Sequence, residues 1–509
     1  MFAPRFVIQR LVLSLLGALA AVSLPAQRLE DFEKRVTEFT LPNGLHFIVL
    51  ERHEAPVVAF NAFVNVGAVD DPGGKSSMAH MFEHMIGKGT RTVGSKNPVE
   101  EQKALDEVER IYDRLEEERR RPKPDKDRVA ALEKQLEAAI EKANSYVDSN
   151  AFVRVIEENG GTNFNAGTAQ DFTMYHYSLP SNRLELWFLL QSDWFKRPVF
   201  REFYKERDVV REERRMRIES SPQGKLQELL AGTAFLVHPY RNLVGWASEI
   251  ENLRAKDAER FFRTYYVPSN ITIAIVGDVH PGEVRRLAEK YYNSLEPGPL
   301  PPAVVAVEPP QEGEKRATLE SPAQPFLAIA FKRPSQTHKD DVVFDVLASL
   351  LSSGRTGLLY RELVRDGKMA IAAFAGANFP GGKYPTLFII FTVPAPGHSV
   401  EENEKAVYAI LERLAREKVD EASLQRVKTK IRASHIRQLD SNEGLAFQLA
   451  FYHVAYGSWK TMFTGLDEID KVTAEDVQRV VKTYFTQRNR TVAYTVPVPK
   501  ANASGGGAQ

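Results

Sequence analysis

Alternation of hydrophobic and polar residues marks the first half of the chain as rich in strands. LHFIVLERH (45–53) and VVAFNAFVNVGAV (57–69) alternate as half-buried strands do. Strand-like segments return at NFNAGTAQDFTMYHYSLP (163–180) and ITIAIVGDV (271–279), with helical spacing between them. This order predicts an α+β fold, in which antiparallel-rich sheets pack against helices.

An internal repeat divides the chain into two halves. Residues 253–276 align without gaps over 472–495, and both copies predict an amphipathic helix, a polar turn and a strand. The identical pairs are Ala255/Ala474, Asp257/Asp476, Arg260/Arg479, Thr264/Thr483, Tyr265/Tyr484, Asn270/Asn489, Thr272/Thr491 and Ala274/Ala493. We therefore expect homologous domains at 27–294 and 316–498, joined by a Pro-rich extended linker at 295–315.

Residues 98–149 differ from the rest of the chain in composition. Two helical segments rich in Glu, Arg and Lys flank the break PKPD. Their apolar positions recur every three or four residues, at Leu105, Val108, Tyr112, Leu115, Val129, Leu132, Leu136, Ile140 and Ala143. The pattern predicts an antiparallel helical hairpin, inserted into the first half, whose charged outer faces are solvated rather than bound to a partner.

The two ends of the chain predict export and a disordered tail. Residues 1–26 have two arginines, an apolar run and then PAQ, which is typical of a signal peptide. A mitochondrial presequence is the alternative, but the run is apolar on every face. We expect a periplasmic or secreted protein with no stable membrane span after processing. Residues 499–509 are predicted to be disordered.

Composition narrows the possible classes of function. Lys+Arg and Asp+Glu both number 67, so no net charge attracts the chain to nucleic acid. Cysteine is absent, which excludes disulfides, thiolate metal ligands and a thiol nucleophile.

Candidate chemistry lies in SSMAHMFEHMIGKGT (76–90). His80 and His84 are one helical turn apart, so their imidazoles project from one face, and Glu83 lies on the same side. Two imidazoles suit zinc, and the spacing is that of the inverzincin motif H-x-x-E-H. Two histidines that merely share a half-buried helix are the alternative.

The flanks of this segment predict where the helix begins and ends. Ser76 or Ser77 is expected to cap its start, and Gly87 and Gly89 to end it.

A catalytic zinc ion needs a third protein ligand, and FYKERDVVREERRMRIES (203–220) offers one. Glu206 and Glu213 are seven residues apart and share a helix face, whereas Glu212 points about 100° away toward the charged surface. A solvated Arg- and Glu-rich helix is the alternative.

Together these residues resemble the M16 metallopeptidases, the family of pitrilysin, insulin-degrading enzyme and mitochondrial processing peptidase. HMFEH and ERDVVREE match the family pattern of H-x-x-E-H followed by E-x6-E. The interval between the two motifs is longer than the family's by about the length of the hairpin. The resemblance covers nearly the whole mature chain and implies two homologous halves that form a clamshell.

The same resemblance assigns roles to residues. It implies that His80, His84 and Glu213 bind one Zn2+, that Glu83 is the general base for the water that zinc activates, and that Glu206 holds a ligand by a hydrogen bond. Residues 163–180 are similar to the family's sheet edge, where peptide substrates add as a strand, and this implies substrate binding at Asn165 and Ala166.

One departure from the family concerns the second half. Members usually have an Arg and a Tyr there that reach the substrate, and the aligned positions here are Val364 and Ile371. Tyr360, Arg361 or Arg365 could substitute. The departure implies a homologous partner subunit that supplies the Arg/Tyr pair, with a homodimer as the alternative.

The sequence thus predicts an exported zinc-dependent endopeptidase that acts on unfolded peptides or small proteins. A non-catalytic assembly or scaffold subunit is the alternative from another class, and an enzyme with a different metal is a third. His176 and His238 are expected to be structural.

Overall fold

A computed structural model describes residues 32–498 of the chain. The predicted signal peptide at 1–26 and the predicted disordered tail at 499–509 lie outside the described residues. No helix within the described part is long and apolar enough to cross a membrane.

The described chain forms two sheets surrounded by helices. The strands are β1 Val36–Thr40, β2 His46–Glu51, β3 Val57–Val64, β4 Thr162–Thr168, β5 Thr173–Pro180, β6 Ile271–Gly277, β7 Lys315–Ser321, β8 Leu327–Arg333, β9 Ala370–Phe379, β10 Thr386–Pro394 and β11 Arg490–Pro497. The helices are α1 Met78–Met85, α2 Pro98–Arg119, α3 Lys126–Ser145, α4 Ala151–Glu158, α5 Leu184–Lys196, α6 Phe203–Arg214, α7 Pro222–Ala234, α8 Ala247–Glu251, α9 Ala255–Tyr265, α10 Pro281–Tyr292, α11 Asp341–Ser352, α12 Val400–Arg416, α13 Glu421–Gln438, α14 Asn442–Tyr456, α15 Thr461–Lys471 and α16 Ala474–Tyr484.

The two sheets have the same topology. The first has the strand order β1-β2-β6-β3-β5-β4 and the second β7-β11-β8-β10-β9. In each, one parallel pair (β2 with β6, β7 with β11) joins an otherwise antiparallel sheet. Apart from β1, every strand of the first sheet therefore has a counterpart in the second. The predicted α+β fold of two homologous halves is confirmed.

Hydrogen bonds at the repeated turn are also duplicated. Asn270 Nδ2 donates to the carbonyl five residues earlier at 2.9 Å, and Asn489 Nδ2 does the same at 2.7 Å. Each amide also donates to the neighbouring antiparallel segment, at Asn65 O (3.2 Å) and Lys332 O (2.7 Å). Both asparagines satisfy backbone carbonyls that a hydrophobic side chain would leave unpaired.

Each half covers one face of the other half's sheet. Helix α14 of the second half packs on β3 and β6, and α7 of the first half packs on β7 and β11. Ile48 and Phe63 of the first sheet share a core with Leu445 and Leu449 of α14. The strands β2, β3 and β6 are therefore covered on both faces, because the face away from the first-half helices meets the other half.

The predicted hairpin is confirmed as α2 and α3. Its inner face joins the main core of the first half through Val108, Ile111, Tyr112, Ala139 and Ala143. The sequence predicted that its charged residues are all solvated, and this is wrong for some of them.

One rim of the hairpin pairs with the body of the first half. Arg254, whose side chain is 9% exposed, lies 3.1 Å from Glu109, 2.8 Å from Asp113 and 3.3 Å from Glu116 of α2. Acidic residues that the sequence pattern predicts to be on the surface therefore form ion pairs with a buried guanidinium.

The segment between the halves has no helix or strand from 295 to 314, yet one carboxylate fixes it in place. Glu308 accepts hydrogen bonds from the backbone N–H groups of Leu236, Val237 and His238, and from Lys332 Nζ at 2.8 Å. Burial acts to raise the pKa of Glu308, but these donors outweigh it and lower the pKa to about 2.

Glu308→Gln should lower the free energy of unfolding by about 2 kcal/mol at pH 7, because the amide loses the charge that these donors stabilise. A carboxyl group with a depressed pKa stabilises the fold fully above its ordinary pKa of 4.5, and this contribution is lost as the pH falls toward 2. Urea unfolding should therefore show a smaller difference from wild type at pH 3 than at pH 7.

Glu312→Gln is the control, since Glu312 is an exposed carboxylate in the same segment. Equal loss of stability in both variants would show that Glu308 does not anchor the segment.

Candidate metal centre

Helix α1 begins in a way that the sequence did not predict. Ser77 takes a left-handed conformation (φ 70°) and its side chain does not cap the helix. The carboxylate of Asp71 accepts the N–H groups of Ser77 (2.6 Å) and Ala79 (2.8 Å) instead. The two serine hydroxyls bond elsewhere: Ser77 Oγ donates to Val244 O, and Ser76 Oγ accepts the Trp246 N–H. The predicted serine cap is wrong, because the Asp71 carboxylate and not a serine hydroxyl accepts the free N–H groups at the helix start.

The other end of α1 agrees with the prediction at one glycine. A 3₁₀ turn, Ile86–Lys88, follows the helix, and Gly89 ends it with a φ of 89°. Gly87 lies within that turn. A side chain at Gly89 would be strained, and its Cβ would lie 2.3 Å from Val93 O.

A buried arginine joins this turn to helix α6. Arg201 is 1% exposed, and its Nη atoms donate to the carbonyls of Lys88 (2.7 Å), Thr90 (2.9 Å) and Val93 (2.9 Å). Glu101 of α2 accepts its remaining donors at 2.8 and 3.0 Å. One guanidinium therefore holds three segments: the end of α1, the start of α6 and the hairpin.

The three predicted ligands come together between α1 and α6. His80 Nε2 lies 3.5 Å from Glu213 Oε2, and His84 Nε2 lies 3.5 Å from Glu213 Oε1. The imidazole planes are inclined at 74°, with ring centroids 5.0 Å apart. Two ligand atoms on one tetrahedral zinc ion are about 3.4 Å apart. The two distances to Glu213 are therefore close to those expected of ligands to a shared zinc ion.

The electrostatics of these groups also fit a cation. Glu213 Oε2 is buried and accepts no well-aligned hydrogen bond, and the guanidinium of Arg217 lies 3.1 Å from it. Burial, together with the charges of His84 and Arg217, lowers the pKa of His80 to about 3. His80 is therefore neutral over the physiological range, which is the form that binds metal.

Glu206 orients the second histidine. His84 Nδ1 lies 3.2 Å from Glu206 Oε2, and Lys88 Nζ lies 2.6 Å from Glu206 Oε1. Burial acts to raise the pKa of Glu206, but the bonds to His84 and Lys88 lower it. An ionised carboxylate only accepts hydrogen bonds, so Nδ1 must carry the proton and Nε2 keeps its lone pair toward Glu213.

Glu83 stands beside the three groups. Its Oε2 lies 3.9 Å from His80 Nε2. Burial raises the pKa of Glu83, against hydrogen bonds from Thr168 at the end of β4. A carboxylate with a raised pKa is a stronger base at neutral pH. Glu212 instead points to solvent and pairs with Arg215, as its position in the helix predicts.

Asn165 and Ala166 lie on β4, the edge strand of the first sheet. The Ala166 N–H donates to the Asn165 side chain at 2.9 Å, so it is not used in pairing with β5. In the second half, Val364 is partly buried in the core, and Ile371 on the edge strand β9 is 52% exposed. No role of these four residues follows from their position alone.

His176 and His238, the two histidines expected to be structural, lie away from the candidate metal centre. His238 Nδ1 accepts the Tyr240 N–H at 3.2 Å, and His176 lies on β5 opposite Asn165. Sequence reasoning missed Lys88, although it lies one turn after His84, as well as Asp71 and Arg201, which act through contacts distant in sequence.

The duplicated α+β halves and the His/His/Glu centre on two helices define the class as a two-halved protein with a metallopeptidase-type site. Two protein-family models match the chain: "Insulinase (Peptidase family M16)" at residues 131–245 and "Peptidase M16 inactive domain" at 252–431. The first covers Glu206 and Glu213 and begins after the H-x-x-E-H motif. The chain belongs to the M16 peptidase family, and the predicted family is confirmed.

Individual relatives agree over most of their length. The zinc protease PqqE of Helicobacter pylori is 26% identical over 470 residues, 90% of this chain and 92% of that protein. A probable mitochondrial-processing peptidase subunit beta of Arabidopsis thaliana is 23% identical over 92% of this chain and 79% of its own. A crystal structure of a protease from Helicobacter pylori superposes with a TM-score of 0.74 at 25% identity, covering 91% of this chain and 99% of that one.

Glu101→Gln should lower the free energy of unfolding by about 3 kcal/mol, because the variant leaves the Arg201 charge buried without its counter-ion. Urea unfolding followed by circular dichroism would measure the loss. Glu100→Gln is the matched control, since Glu100 is exposed on the same helix and pairs with Lys103. If Glu101→Gln were no less stable than Glu100→Gln, Arg201 would not be the junction of these segments.

Proposed function

We propose that this protein is a zinc-dependent endopeptidase that cleaves unfolded peptides or small proteins, with His80, His84 and Glu213 as zinc ligands. The observation that carries the proposal is the position of Glu83, a carboxylate with a raised pKa beside two imidazoles and a carboxylate at metal-ligand spacing. Its relatives bear the names of zinc proteases.

Zinc, when bound, acts as a Lewis acid that lowers the pKa of water and polarises a carbonyl group. The chain's own residues hold the metal and transfer the protons. His80 and His84 present neutral imidazoles, and Glu206 fixes the tautomer of His84 through Nδ1. Glu83 takes the proton from the attacking water and returns it to the leaving amine.

The substrate is an extended peptide because β4 offers an open sheet edge. Its inner neighbour is β5, and its outer side has no strand partner in the described sheet. Since β4 ends at Thr168, which bonds Glu83, a peptide added along Asn165 and Ala166 would pass the general base. The Ala166 N–H donates to the Asn165 side chain, and a carbonyl of the incoming strand would replace that side chain as its acceptor.

A scaffold subunit without activity is the alternative function. It does not require two imidazoles and a carboxylate at metal-ligand spacing, nor a carboxylate with a raised pKa at Glu83. Both features favour a site that binds a cation and performs acid–base chemistry.

Glu83→Gln should reduce peptide cleavage at least about 100-fold while zinc still binds one per chain at this centre, because the amide cannot accept a proton. The measurement is hydrolysis of a quenched mixed-peptide pool by the zinc-loaded chain, with zinc content determined in parallel. A tightly folded protein in the same assay should stay uncut.

Glu212→Gln, an exposed neighbour of Glu213, should retain wild-type activity. Cleavage by Glu83→Gln at the wild-type rate would exclude Glu83 as the base. Absence of cleavage by every form, including wild type with zinc bound, would favour the scaffold alternative or a missing partner.

We propose further that a homologous partner subunit supplies hydrogen-bond donors that this chain lacks. Val364 and Ile371 end in hydrocarbon and cannot stabilise negative charge on a reacting carbonyl oxygen. A homodimer is the alternative. Export through residues 1–26 is also part of the proposal, and the amino-terminal residue of the mature protein would test it.

Ile371→Tyr should raise kcat of the chain assayed alone by about tenfold or more, because it restores one donor at a position that is 52% exposed. Ile371→Phe is the matched control, since it differs from the tyrosine variant by one hydroxyl group. Equal kcat values for the two variants would count against a missing donor at this position.

A further inference from the structure

Two more groups of histidine and acidic side chains within residues 32–498 are close enough to share a cation. One comprises Glu38, His46 and His453, and the other Glu51, His53 and His280. Neither belongs to the centre on α1 and α6. Ring orientation and hydrogen bonding distinguish them.

The group around Glu38 is a closed hydrogen-bonded cluster. The rings of His46 and His453 are stacked 4.1 Å apart with planes inclined by only 11°. Lone pairs lie in the ring planes, so those of parallel rings do not converge on one ion. In addition, Glu38 accepts a hydrogen bond from Trp459 Nε1 at 2.6 Å, a donor from outside the group. This group has no free ligand set.

The group around Glu51 lies where two parallel strands end. Glu51 is the last residue of β2 and pairs with Gly277, the last residue of β6. His53 follows β2 by two residues, and His280 follows β6 by three, just before α10. Because parallel neighbours end at the same sheet edge, side chains 229 positions apart come into contact.

The distances in this group are those of metal ligands. Glu51 Oε1 lies 3.3 Å from His280 Nδ1 and 3.8 Å from His53 Nε2. The two rings are inclined at 40°, with centroids 5.4 Å apart, so they are not stacked. Ligand atoms on one tetrahedral zinc ion are about 3.4 Å apart, so small side-chain movements would close the site.

A second carboxylate orients His53 for this role. His53 Nδ1 lies 2.7 Å from Asp278 Oδ1, and Ser181 Oγ donates to Asp278 Oδ2 at 2.8 Å. The carboxylate accepts the Nδ1 proton, which leaves the Nε2 lone pair of the neutral ring directed toward Glu51. A carboxylate behind a ligating histidine is the usual support of a zinc ligand.

We propose that Glu51, His53 and His280 form a second zinc site at the carboxyl ends of β2 and β6, with Asp278 as its positioning residue. Two nitrogens and one carboxylate oxygen are a zinc-type donor set. His53 and His280 are 49% and 77% exposed, so water completes the coordination. This site does not depend on the proposed peptidase function.

The test uses a chain in which the first centre is removed, His80→Ala/His84→Ala. Titration with zinc against a chromophoric chelator should show one equivalent bound. Adding His53→Ala/His280→Ala should abolish that binding, and adding Asp278→Asn instead should weaken it about 10- to 100-fold. Adding His46→Ala/His453→Ala, the matched pair from the stacked cluster, should leave it unchanged.

No zinc bound to the folded His80→Ala/His84→Ala chain would overturn the proposal, as would zinc that remains after His53→Ala/His280→Ala. Should the background variant not fold, the wild-type chain serves. It should bind two equivalents and lose one in His53→Ala/His280→Ala, whereas two equivalents in both would refute the site.

Discussion

The hydrogen bonds of the Arg201 guanidinium join the segments that carry the candidate metal centre. The two helices of the centre are far apart in sequence, and the arginine reaches across 113 residues to Lys88 O. It donates to three carbonyls after α1 and to two carboxylate oxygens of Glu101. A buried charge with directional donors tolerates little displacement, so these bonds restrain the separation of α1 and α6.

The hairpin has a structural part in this arrangement. It supplies Glu101, the counter-ion of Arg201, and its rim pairs with Arg254. An insertion between the two metal motifs therefore supports the centre that it separates in sequence. The exchange of α7 and α14 between the halves adds a second constraint, since each sheet is buried by the other half. A chain without disulfides is held together by this mutual burial.

Three groups of similar composition differ in the geometry of their rings and carboxylates. At His80 and His84 the two rings face the two oxygens of Glu213, and at His53 a carboxylate behind the ring directs a lone pair toward Glu51. At His46 the rings stack, and the acid is already bonded to Trp459. Helix spacing and strand ends bring lone pairs together, whereas face-to-face stacking keeps them parallel.

The sequence alone determined what depends on local periodicity and duplication. Spacing of four placed His80 and His84 on one helix face, spacing of seven did the same for Glu206 and Glu213, and repeated segments revealed the two halves. Only tertiary structure decided that β2, β3 and β6 are covered on both faces, that Asp71 caps α1, and that the two motifs lie close to ligand distance. Local patterns report which side of an element is apolar or reactive. They do not report which distant element lies against it, because long-range packing determines that.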